Sequence, residues 1–398
     1  MLYKKRYYIM ISSFVLAIFF SGIFTSWVKA AVPENNKPQD NGIKVEAKSA
    51  ILMEPSTGKI LYEYNSHEKL APASVTKIMT MLLTMEAVDS GKIKMTDKVT
   101  VSENAKKMGG SSMILDTGEV RTVEELIKGV AIASGNDAAV ALGEYLAGSE
   151  EAFVNLMNER AQSLGMKDTS FKNCTGLSAA GHLTTAYDIS LMSRELLKHQ
   201  TILKYTGTYM ETITEGRKTP IGLVNHNKLV RFFKGCDGLK TGFTDEAKYC
   251  ISSTAEKDGV RMLAVIMGSP SYKVRNKDAG MLMNYGFSKY ECKKVVTKDS
   301  EVTKVELNKK GDRYFKAKAM EDLNIVLEKG KTNKLTYKCI LNDKQKKFIT
   351  KEEAGYCEVY LDEVLVGKVR IYSDRDIKRF SVFDNLKNNF VNILDRGV

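Results

Sequence analysis

Hydrophobic positions along residues 43–289 follow two periods, one typical of strands and one of helices. Short apolar runs at 49–53 and 59–64 flank the turn-forming residues 55–58, and this pattern predicts a β-hairpin. Apolar residues at helical spacing follow in five stretches, at 74–88, 123–132, 137–146, 151–164 and 186–197. Strand-like runs return at 249–253 and 262–267. Because strands come first and last with helices between them, the pattern predicts an α/β (α+β) domain whose sheet is closed by both ends of the domain.

The pattern changes from residue 290 onward. Short runs rich in β-branched and aromatic residues are separated by Gly, Asn and Asp, which predicts a small antiparallel all-β domain at 290–380. The tail, 381–398, places its apolar residues on an arc of roughly 120° at helical period, and we expect an amphipathic helix there. The polar face of that helix is not strongly basic, so these residues alone leave open whether it lies in a membrane interface or docks on the β domain.

The N-terminus has the three parts of a secretory signal peptide, which we assign to residues 1–30. Lys4, Lys5 and Arg6 precede an apolar run at 9–24, and small residues at 28 and 30 mark a cleavage site. A retained anchor helix is the alternative, although the run is short for a membrane span and serines interrupt it. Residues 31–42 are polar and contain two prolines, which predicts a flexible leader.

The positive charge lies mainly outside the domain that would carry chemistry. Of the formal charge of +12, four charges leave with the signal peptide, and residues 291–380 contain 22 Lys and Arg against 16 Asp and Glu. We interpret this basicity as attraction of the β domain to an anionic cell envelope. Export and this distribution together exclude a nucleic-acid partner.

Six cysteines are present: Cys174, Cys236, Cys250, Cys292, Cys339 and Cys357. An even number in an exported chain permits disulfides, but the spacings are wide and irregular, so free buried thiols are the expectation we favour. The cysteines and the four histidines show no metal-ligand spacing. We therefore expect no structural metal site.

Ser74 and Lys77 are the first candidates for chemistry. Pro72 stands just ahead of the predicted helix, so Ser74 falls in the first turn and Lys77 one turn later on the same face. A serine hydroxyl becomes a nucleophile when a base removes its proton, and lysine can be that base when desolvation and the positive helix end lower its pKa. On its own the pair also fits an ordinary helix cap followed by a surface lysine.

Two further motifs carry suitable groups. Ser134 and Asn136 lie between two predicted helices, where a hydroxyl could pass a proton to a leaving amine and a carboxamide could hold a peptide backbone. An ordinary helix N-cap is the alternative for this motif.

Lys240, Thr241 and Gly242 combine a cation, a hydroxyl donor and a glycine that lets a substrate approach the backbone closely. A glycine-rich hairpin is the alternative for this motif.

Taken together, Ser-x-x-Lys, Ser-x-Asn and Lys-Thr-Gly in this order resemble the motif set of penicillin-binding proteins and β-lactamases. The chain resembles the low-molecular-mass penicillin-binding proteins, the serine-type D-alanyl-D-alanine carboxypeptidases of peptidase family S11. The likeness includes residues 61–77, 175–188 and 275–287, and it is greatest to the variants of spore-forming Gram-positive bacteria. It implies a serine β-lactamase/transpeptidase-like catalytic domain at 43–289.

The resemblance implies an acyl-enzyme mechanism on peptidoglycan stem peptides that end in D-Ala-D-Ala. Ser74 would be acylated by the penultimate D-Ala carbonyl, with Lys77 as the base. Ser134 and Lys240 would relay the proton to the leaving amine. β-Lactams would acylate the same serine, and no metal or organic cofactor would be needed.

The resemblance also implies a set of binding residues. Asn136 would hold the peptide, and Thr241 with Arg275 would bind the terminal carboxylate. Backbone N–H groups of Ser74 and Phe243 would form the oxyanion hole, with Gly242 admitting the substrate. The family layout further favours attachment of the tail at 381–398 to the outer face of the cytoplasmic membrane.

Other readings have less support. Glu151 and Asn155 imitate the Glu-x-x-x-Asn element that deacylates class A β-lactamases, but they lie in a predicted helix too early in the chain. We therefore expect a penicilloyl-enzyme that hydrolyses slowly, which disfavours a β-lactamase. The complete set of catalytic side chains disfavours a catalytically weak wall scaffold. His182 and His226 suggest a Ser-His-Asp site, but with Lys77 beside the serine we expect them to be structural or to line the cleft.

Overall fold

The computed structural model describes residues 42–308, 312–330, 334–342, 345–361 and 363–378. The signal peptide predicted at 1–30, nearly all of the leader and the amphipathic tail lie outside the described residues. Within the described ranges, no helix is long and apolar enough to cross a membrane.

A five-stranded antiparallel sheet with strand order β2-β1-β9-β8-β7 forms the centre of the first domain. Its strands are β1 (Ser49–Glu54), β2 (Lys59–Tyr64), β7 (Cys236–Thr244), β8 (Lys248–Lys257) and β9 (Val260–Ser269). Two two-stranded sheets lie outside it, β3 (Lys98–Thr100) with β4 (Val120–Thr122), and β5 (Met210–Ile213) with β6 (Ile221–Val224). Since β1 pairs with β9, placing Ser49 opposite Met267, both ends of the domain close the sheet, as the sequence pattern predicted.

Nine α-helices fall within the described part of this domain. They are α1 (Lys77–Asp89), α2 (Glu103–Lys106), α3 (Val123–Ile132), α4 (Asn136–Ala147), α5 (Glu150–Ser163), α6 (Ala186–Leu196), α7 (Ile202–Thr206), α8 (Leu229–Phe232) and α9 (Tyr272–Lys289). The first predicted helix is divided, because a 3-10 turn at Ala73–Thr76 precedes α1. Strand β9 is buried at nearly every position, so both faces of the sheet are covered, and α6 and α9 both pack against it.

The long helix α9 is an element that the hydrophobic pattern did not predict. Its buried face includes Arg275, Asp278, Ala279 and Gly280, which are polar or small. Because few large apolar residues recur on that face, the helical period is weak in the sequence even though the helix packs on the sheet.

The second domain is all-β over its described residues, as predicted. Its strands are β10 (Tyr290–Val296), β11 (Glu301–Glu306), β12 (Tyr314–Ala319), β13 (Leu323–Glu328), β14 (Leu335–Leu341), β15 (Lys347–Phe348), β16 (Glu353–Leu361), β17 (Val364–Ser373) and β18 (Ile377–Lys378). Five of them form an antiparallel sheet in the order β11-β12-β17-β16-β14. Phe315 and Phe348 lie in its core with ring centroids 5.4 Å apart.

The expectation of free thiols was wrong for one pair of cysteines. Cys339 on β14 lies directly opposite Cys357 on β16, and the two form a disulfide. The register of this strand pair, which the sequence spacing does not reveal, brings the two side chains together. Cys174, Cys236 and Cys250 are free and buried, and Cys292 is free and partly buried.

Candidate active site

Ser74 lies in the 3-10 turn, between the edge strand β7 and the loop that contains Gly176. Ala73 has a positive φ of 49°, and Thr76 Oγ1 donates a hydrogen bond to the Ala73 carbonyl at 2.8 Å. A Cβ on Gly242 would lie 2.9 Å from both Pro72 O and Ser74 N, and one on Gly176 would lie 1.9 Å from Ala73 O. The two glycines therefore allow the backbones on either side to approach the Ser74 turn.

The Lys77 side chain is completely buried and ends beside Ser74. Its Nζ lies 3.1 Å from Ser74 Oγ, 2.6 Å from Asn136 Oδ1 and 2.7 Å from Thr175 O. Burial lowers the pKa of Lys77 to about 7, although Cys174 and Asp137 act in the opposite direction. A substantial fraction of this amine is therefore neutral at pH 7 and able to accept a proton.

The partners of Nζ also orient the amine. A neutral amine has two hydrogens and one lone pair, and the oxygens of Asn136 and Thr175 accept the two hydrogens. The lone pair then faces Ser74 Oγ. This geometry is the one that proton removal from the serine requires.

Ser134 and Asn136 lie where α3 ends and α4 begins, as the spacing predicted. Ser134 is 2% exposed and has a positive φ of 62°, which turns the chain sharply between the helices. Asn136 Nδ2 donates to Gly109 O at 2.6 Å, so the amide oxygen is the atom that faces Lys77. The amide predicted to hold a peptide is therefore also a ligand of the base, a role that the sequence did not suggest.

Lys240, Thr241 and Gly242 lie within strand β7 itself, whereas the sequence placed them just ahead of a strand, with a glycine-rich hairpin as the alternative. In the five-stranded sheet β7 pairs only with β8, so its other edge is turned to the Ser74 turn. Lys240 is 2% exposed, and its Nζ donates to Thr241 O at 2.9 Å. Burial and the charges of Lys77 and Arg275 hold the pKa of Lys240 well below its ordinary value. Lys240 therefore gives up a proton more readily than an exposed lysine does.

Arg275 lies in the first turns of α9 and is 5% exposed. Its Nε and Nη2 donate to Asn276 Oδ1 at 3.1 and 2.9 Å. Burial lowers the pKa of Arg275 to about 10, so the guanidinium remains a cation at neutral pH. Its charge also contributes to the lowered pKa of Lys240 in the Lys-Thr-Gly motif. Phe243, the next residue after that motif, is 49% exposed at the mouth of the site.

The three motifs thus meet around Ser74 and Lys77, and comparisons with known proteins agree on what this arrangement is. The sequence matches the D-alanyl-D-alanine carboxypeptidase family S11 over residues 34–271 and the C-terminal domain of penicillin-binding protein 5 over residues 290–379. This chain belongs to peptidase family S11.

Relatives agree with that assignment. D-alanyl-D-alanine carboxypeptidase DacF of Bacillus subtilis is 44% identical over 86% of this chain and 88% of its own length. DacC of Escherichia coli is 39% identical over 62% of each chain. Penicillin-binding protein 5 of Haemophilus influenzae, a solved structure, is 28% identical with a TM-score of 0.71, covering 84% of this chain and 98% of its own. The expected likeness to variants of spore-forming Gram-positive bacteria is confirmed by DacF.

The histidines of the peptidase do not form a charge relay with Ser74. The backbone N–H of Lys172 donates to His182 Nδ1 at 3.2 Å, so the ring hydrogen is on Nε2, which lies 2.9 Å from Thr76 Oγ1. Burial lowers the pKa of His182 to about 4, and the ring is neutral. His182 therefore buttresses the 3-10 turn, as expected for a structural residue. Partial burial and four nearby cations also lower the pKa of His226.

Glu151 and Asn155 of the peptidase lie on exposed positions of helix α5. In the segment where a deacylating glutamate would fall, Asp168 pairs with Lys69 at 2.9 Å, and Thr169 donates to Asp188 at 2.7 Å. These contacts fit the prediction that the β-lactamase element is a coincidence of sequence.

Sequence reasoning missed the groups that support the motifs. Asp137 is buried, and its carboxylate accepts hydrogen bonds from Ser112 Oγ at 2.6 Å, Met113 N at 3.0 Å and Leu115 N at 3.1 Å. It thereby fastens the loop at 111–115 to the Ser-x-Asn turn. Its place directly after Asn136 was the one available signal. The contact of the Thr175 carbonyl with Lys77 leaves no signal in the sequence, because any residue has a backbone carbonyl.

Proposed function

We propose that Ser74 is the nucleophile with which this serine-type D-alanyl-D-alanine carboxypeptidase removes the terminal D-alanine from peptidoglycan stem pentapeptides. The observation that carries the proposal is the 3.1 Å contact between Ser74 Oγ and a buried amine whose pKa is about 7. A lysine at its ordinary pKa would be almost entirely protonated at neutral pH and would be a poor base.

In acylation, the neutral amine of Lys77 takes the Ser74 proton while Oγ forms a bond to the penultimate D-Ala carbonyl carbon. The carbonyl oxygen becomes an oxyanion, to which the backbone N–H groups of Ser74 and Phe243 donate. When the C–N bond breaks, the leaving amine receives a proton through Ser134 from Lys240. The lowered pKa of Lys240 suits it to this donation.

The free carboxylate of the substrate explains why the enzyme acts at a chain end. The Arg275 guanidinium remains charged in its buried setting, and the Thr241 hydroxyl is a further donor. A charge-assisted hydrogen bond of this kind favours a terminal carboxylate over an internal peptide.

Deacylation uses the same amine. Before this step, Lys77 passes the proton that it took from Ser74 through Ser134 to Lys240, which returns both lysines to their starting states. A water molecule then gives a proton to Lys77 as it attacks the ester carbonyl, and Lys77 returns that proton to Ser74 Oγ as the C–O bond breaks. β-Lactams acylate the same serine; a relative, penicillin-binding protein D2 of Listeria monocytogenes, has been solved with ampicillin bound. We expect the penicilloyl ester of this chain to persist, because Glu151 is an exposed residue of helix α5 that comes too early in the chain to be a deacylating glutamate.

Release of D-Ala from a stem pentapeptide analogue tests the proposal. Wild type should release one D-Ala per peptide and should be labelled by penicillin at Ser74, whereas Ser74→Ala should do neither. Ser56→Ala, an exposed serine in the β1–β2 turn, serves as a matched control that should retain both reactions. Labelling of Ser74→Ala at the wild-type rate would assign the nucleophile to another residue.

The place of action is part of the same proposal. Residues 1–30 would direct export, and the tail at 381–398 would hold the enzyme at the outer face of the cytoplasmic membrane, close to its substrate. The signal-peptide pattern and the amphipathic period of the tail support this. A chain that ends at residue 380 should retain activity but leave the membrane fraction. Equal partition of both chains would contradict the anchoring role.

A further inference from the structure

The turn at residues 173–177 touches both catalytic groups of the site. The Thr175 carbonyl accepts a hydrogen of Lys77 Nζ at 2.7 Å. Its neighbour Gly176 packs so tightly on the Ser74 turn that a Cβ would lie 1.9 Å from Ala73 O and 2.9 Å from Ser74 N. The position of this one turn therefore affects the direction of the base and the backbone of the nucleophile together.

The amide of Asn173 holds that turn through four hydrogen bonds. Oδ1 accepts from Thr175 N at 3.2 Å, Thr175 Oγ1 at 3.0 Å and Gly176 N at 2.7 Å. Nδ2 donates to Leu177 O at 2.9 Å. Because Gly176 has a φ of 82°, the chain reverses here, and one side-chain oxygen satisfies the backbone donors of the reversal.

We propose that Asn173 is a positioning residue for the acylation step, which sets the Thr175 carbonyl so that the lone pair of Lys77 faces Ser74. The inference rests on the proposed roles of Ser74 and Lys77. Two asparagine side chains then orient the base: Asn136 by direct contact, and Asn173 through the Thr175 carbonyl. Asn173 itself is partly buried and makes no hydrogen bond to Lys77 or Ser74 within the described residues.

Three substitutions of Asn173 weaken its side-chain hydrogen-bond acceptor to different degrees. Asn173→Asp keeps an oxygen at the same position, Asn173→Ser offers a shorter acceptor, and Asn173→Ala offers none. We expect kcat for D-Ala release and the rate of penicillin acylation to fall in that order, by about 100-fold in Asn173→Ala, because small misplacement of a catalytic group has effects of that size. KM should change little, since no substrate-binding group is touched.

Asn158→Ala is the matched structural control. Its amide also fastens this segment, since Nδ2 donates to Phe171 O at 3.0 Å and Oδ1 accepts from Phe171 N at 2.8 Å, but it lies away from Lys77. We expect Asn158→Ala to lower the melting temperature with kcat close to wild type. Rates are compared at a pH about two units above the pKa of Lys77, so that the base is neutral in every variant.

Labelling of wild type at Ser74 checks the proposed function separately. Given that labelling, wild-type kcat in Asn173→Ala would overturn the positioning role, and so would an equal loss of kcat in Asn158→Ala. If Asn173→Ala does not fold, kcat is compared among wild type, Asn173→Asp and Asn173→Ser. A kcat near wild type in Asn173→Asp and a lower kcat in Asn173→Ser support the positioning role. Equal values of kcat in the three proteins overturn it.

Discussion

Lys77 Nζ lies 2.6 Å from Asn136 Oδ1, and this contact fixes one of the two hydrogens of the neutral amine. With Thr175 O accepting the other, the remaining lone pair is aligned with Ser74 Oγ. The base therefore acquires its direction from uncharged oxygens, and burial rather than a neighbouring cation is the main cause of its low pKa.

The first prediction concerns pH. Since only the neutral amine can accept the serine proton, penicillin acylation should rise with pH through the Lys77 pKa of about 7. At one unit below that pKa, the rate should be about one tenth of the plateau. Stopped-flow labelling with penicillin measures the acylation rate across this pH range. Lys77→Arg, which stays protonated, should lose about 100- to 10,000-fold at every pH. A flat wild-type profile would contradict Lys77 as the base.

The second prediction uses the Asn136 contact. Asn136→Asp places a carboxylate where the amide oxygen meets Nζ, which favours the ammonium form and raises the pKa of Lys77. The rising limb of the acylation profile should therefore move to higher pH than in wild type. Asn104→Asp is a suitable control, because Asn104 is exposed and its amide donates to Glu144 rather than to a group of the site. A limb that stays at the wild-type pH would show that the contact does not govern the base.

Much of the site was predictable because its residues are close in sequence to strong local signals. Ser74 and Lys77 are one turn apart, and a proline precedes them, so their proximity follows from helix geometry. The Ser-x-Asn turn could also be located, because it lies between two segments whose hydrophobic residues recur at helical spacing. The resemblance then supplied the order of motifs and the role of Arg275, which periodicity could not give.

The rest depended on contacts that leave little trace in the sequence. The Thr175 carbonyl and the Asn173 turn act through backbone atoms about a hundred residues from Lys77. The helix that carries Arg275 has a buried face of mainly small and polar residues, so large hydrophobic residues show little helical periodicity in its sequence. The Cys339–Cys357 disulfide depends on the register of two strands. Each of these features is fixed by tertiary packing rather than by local pattern.

The third prediction concerns the close approach at β7. Gly242→Ala would place a Cβ 2.9 Å from two backbone atoms, Pro72 O and Ser74 N, which cannot move aside as a flexible side chain would. We expect penicillin acylation to fall about 100-fold as the Ser74 turn shifts. Gly222→Ala, also in a strand, meets nothing within 4 Å and should react like wild type. Equal acylation rates in the two variants would remove the steric argument.

The fourth prediction concerns the disulfide. Cys339 and Cys357 are 18 residues apart, and a loop of that size stabilises the folded state by about 3 kcal/mol in the chain-entropy view. Cys357→Ala should lower the melting temperature of the second domain while D-Ala release by the first domain stays unchanged. Cys236 is a free buried thiol, so Cys236→Ala keeps the disulfide and its melting temperature should fall on reduction as in wild type, whereas that of Cys357→Ala should not change. A wild-type melting curve that a reductant leaves unchanged would contradict the stabilising role.

The last prediction separates recognition of the substrate end from chemistry. Arg275→Ala should raise KM for a pentapeptide with a free terminal carboxylate by about 10- to 100-fold, the range expected when one hydrogen-bonded charge partner is lost. Arg275→Lys keeps the cation but loses the planar fork, and should lie between wild type and Arg275→Ala. A peptide whose C-terminus is amidated lacks the carboxylate, so its KM should be high in all three proteins. If Arg275→Ala discriminates between acid and amide as strongly as wild type does, another group binds the carboxylate. Thr241→Val, which removes a single hydroxyl in the same strand, then becomes the variant that identifies it.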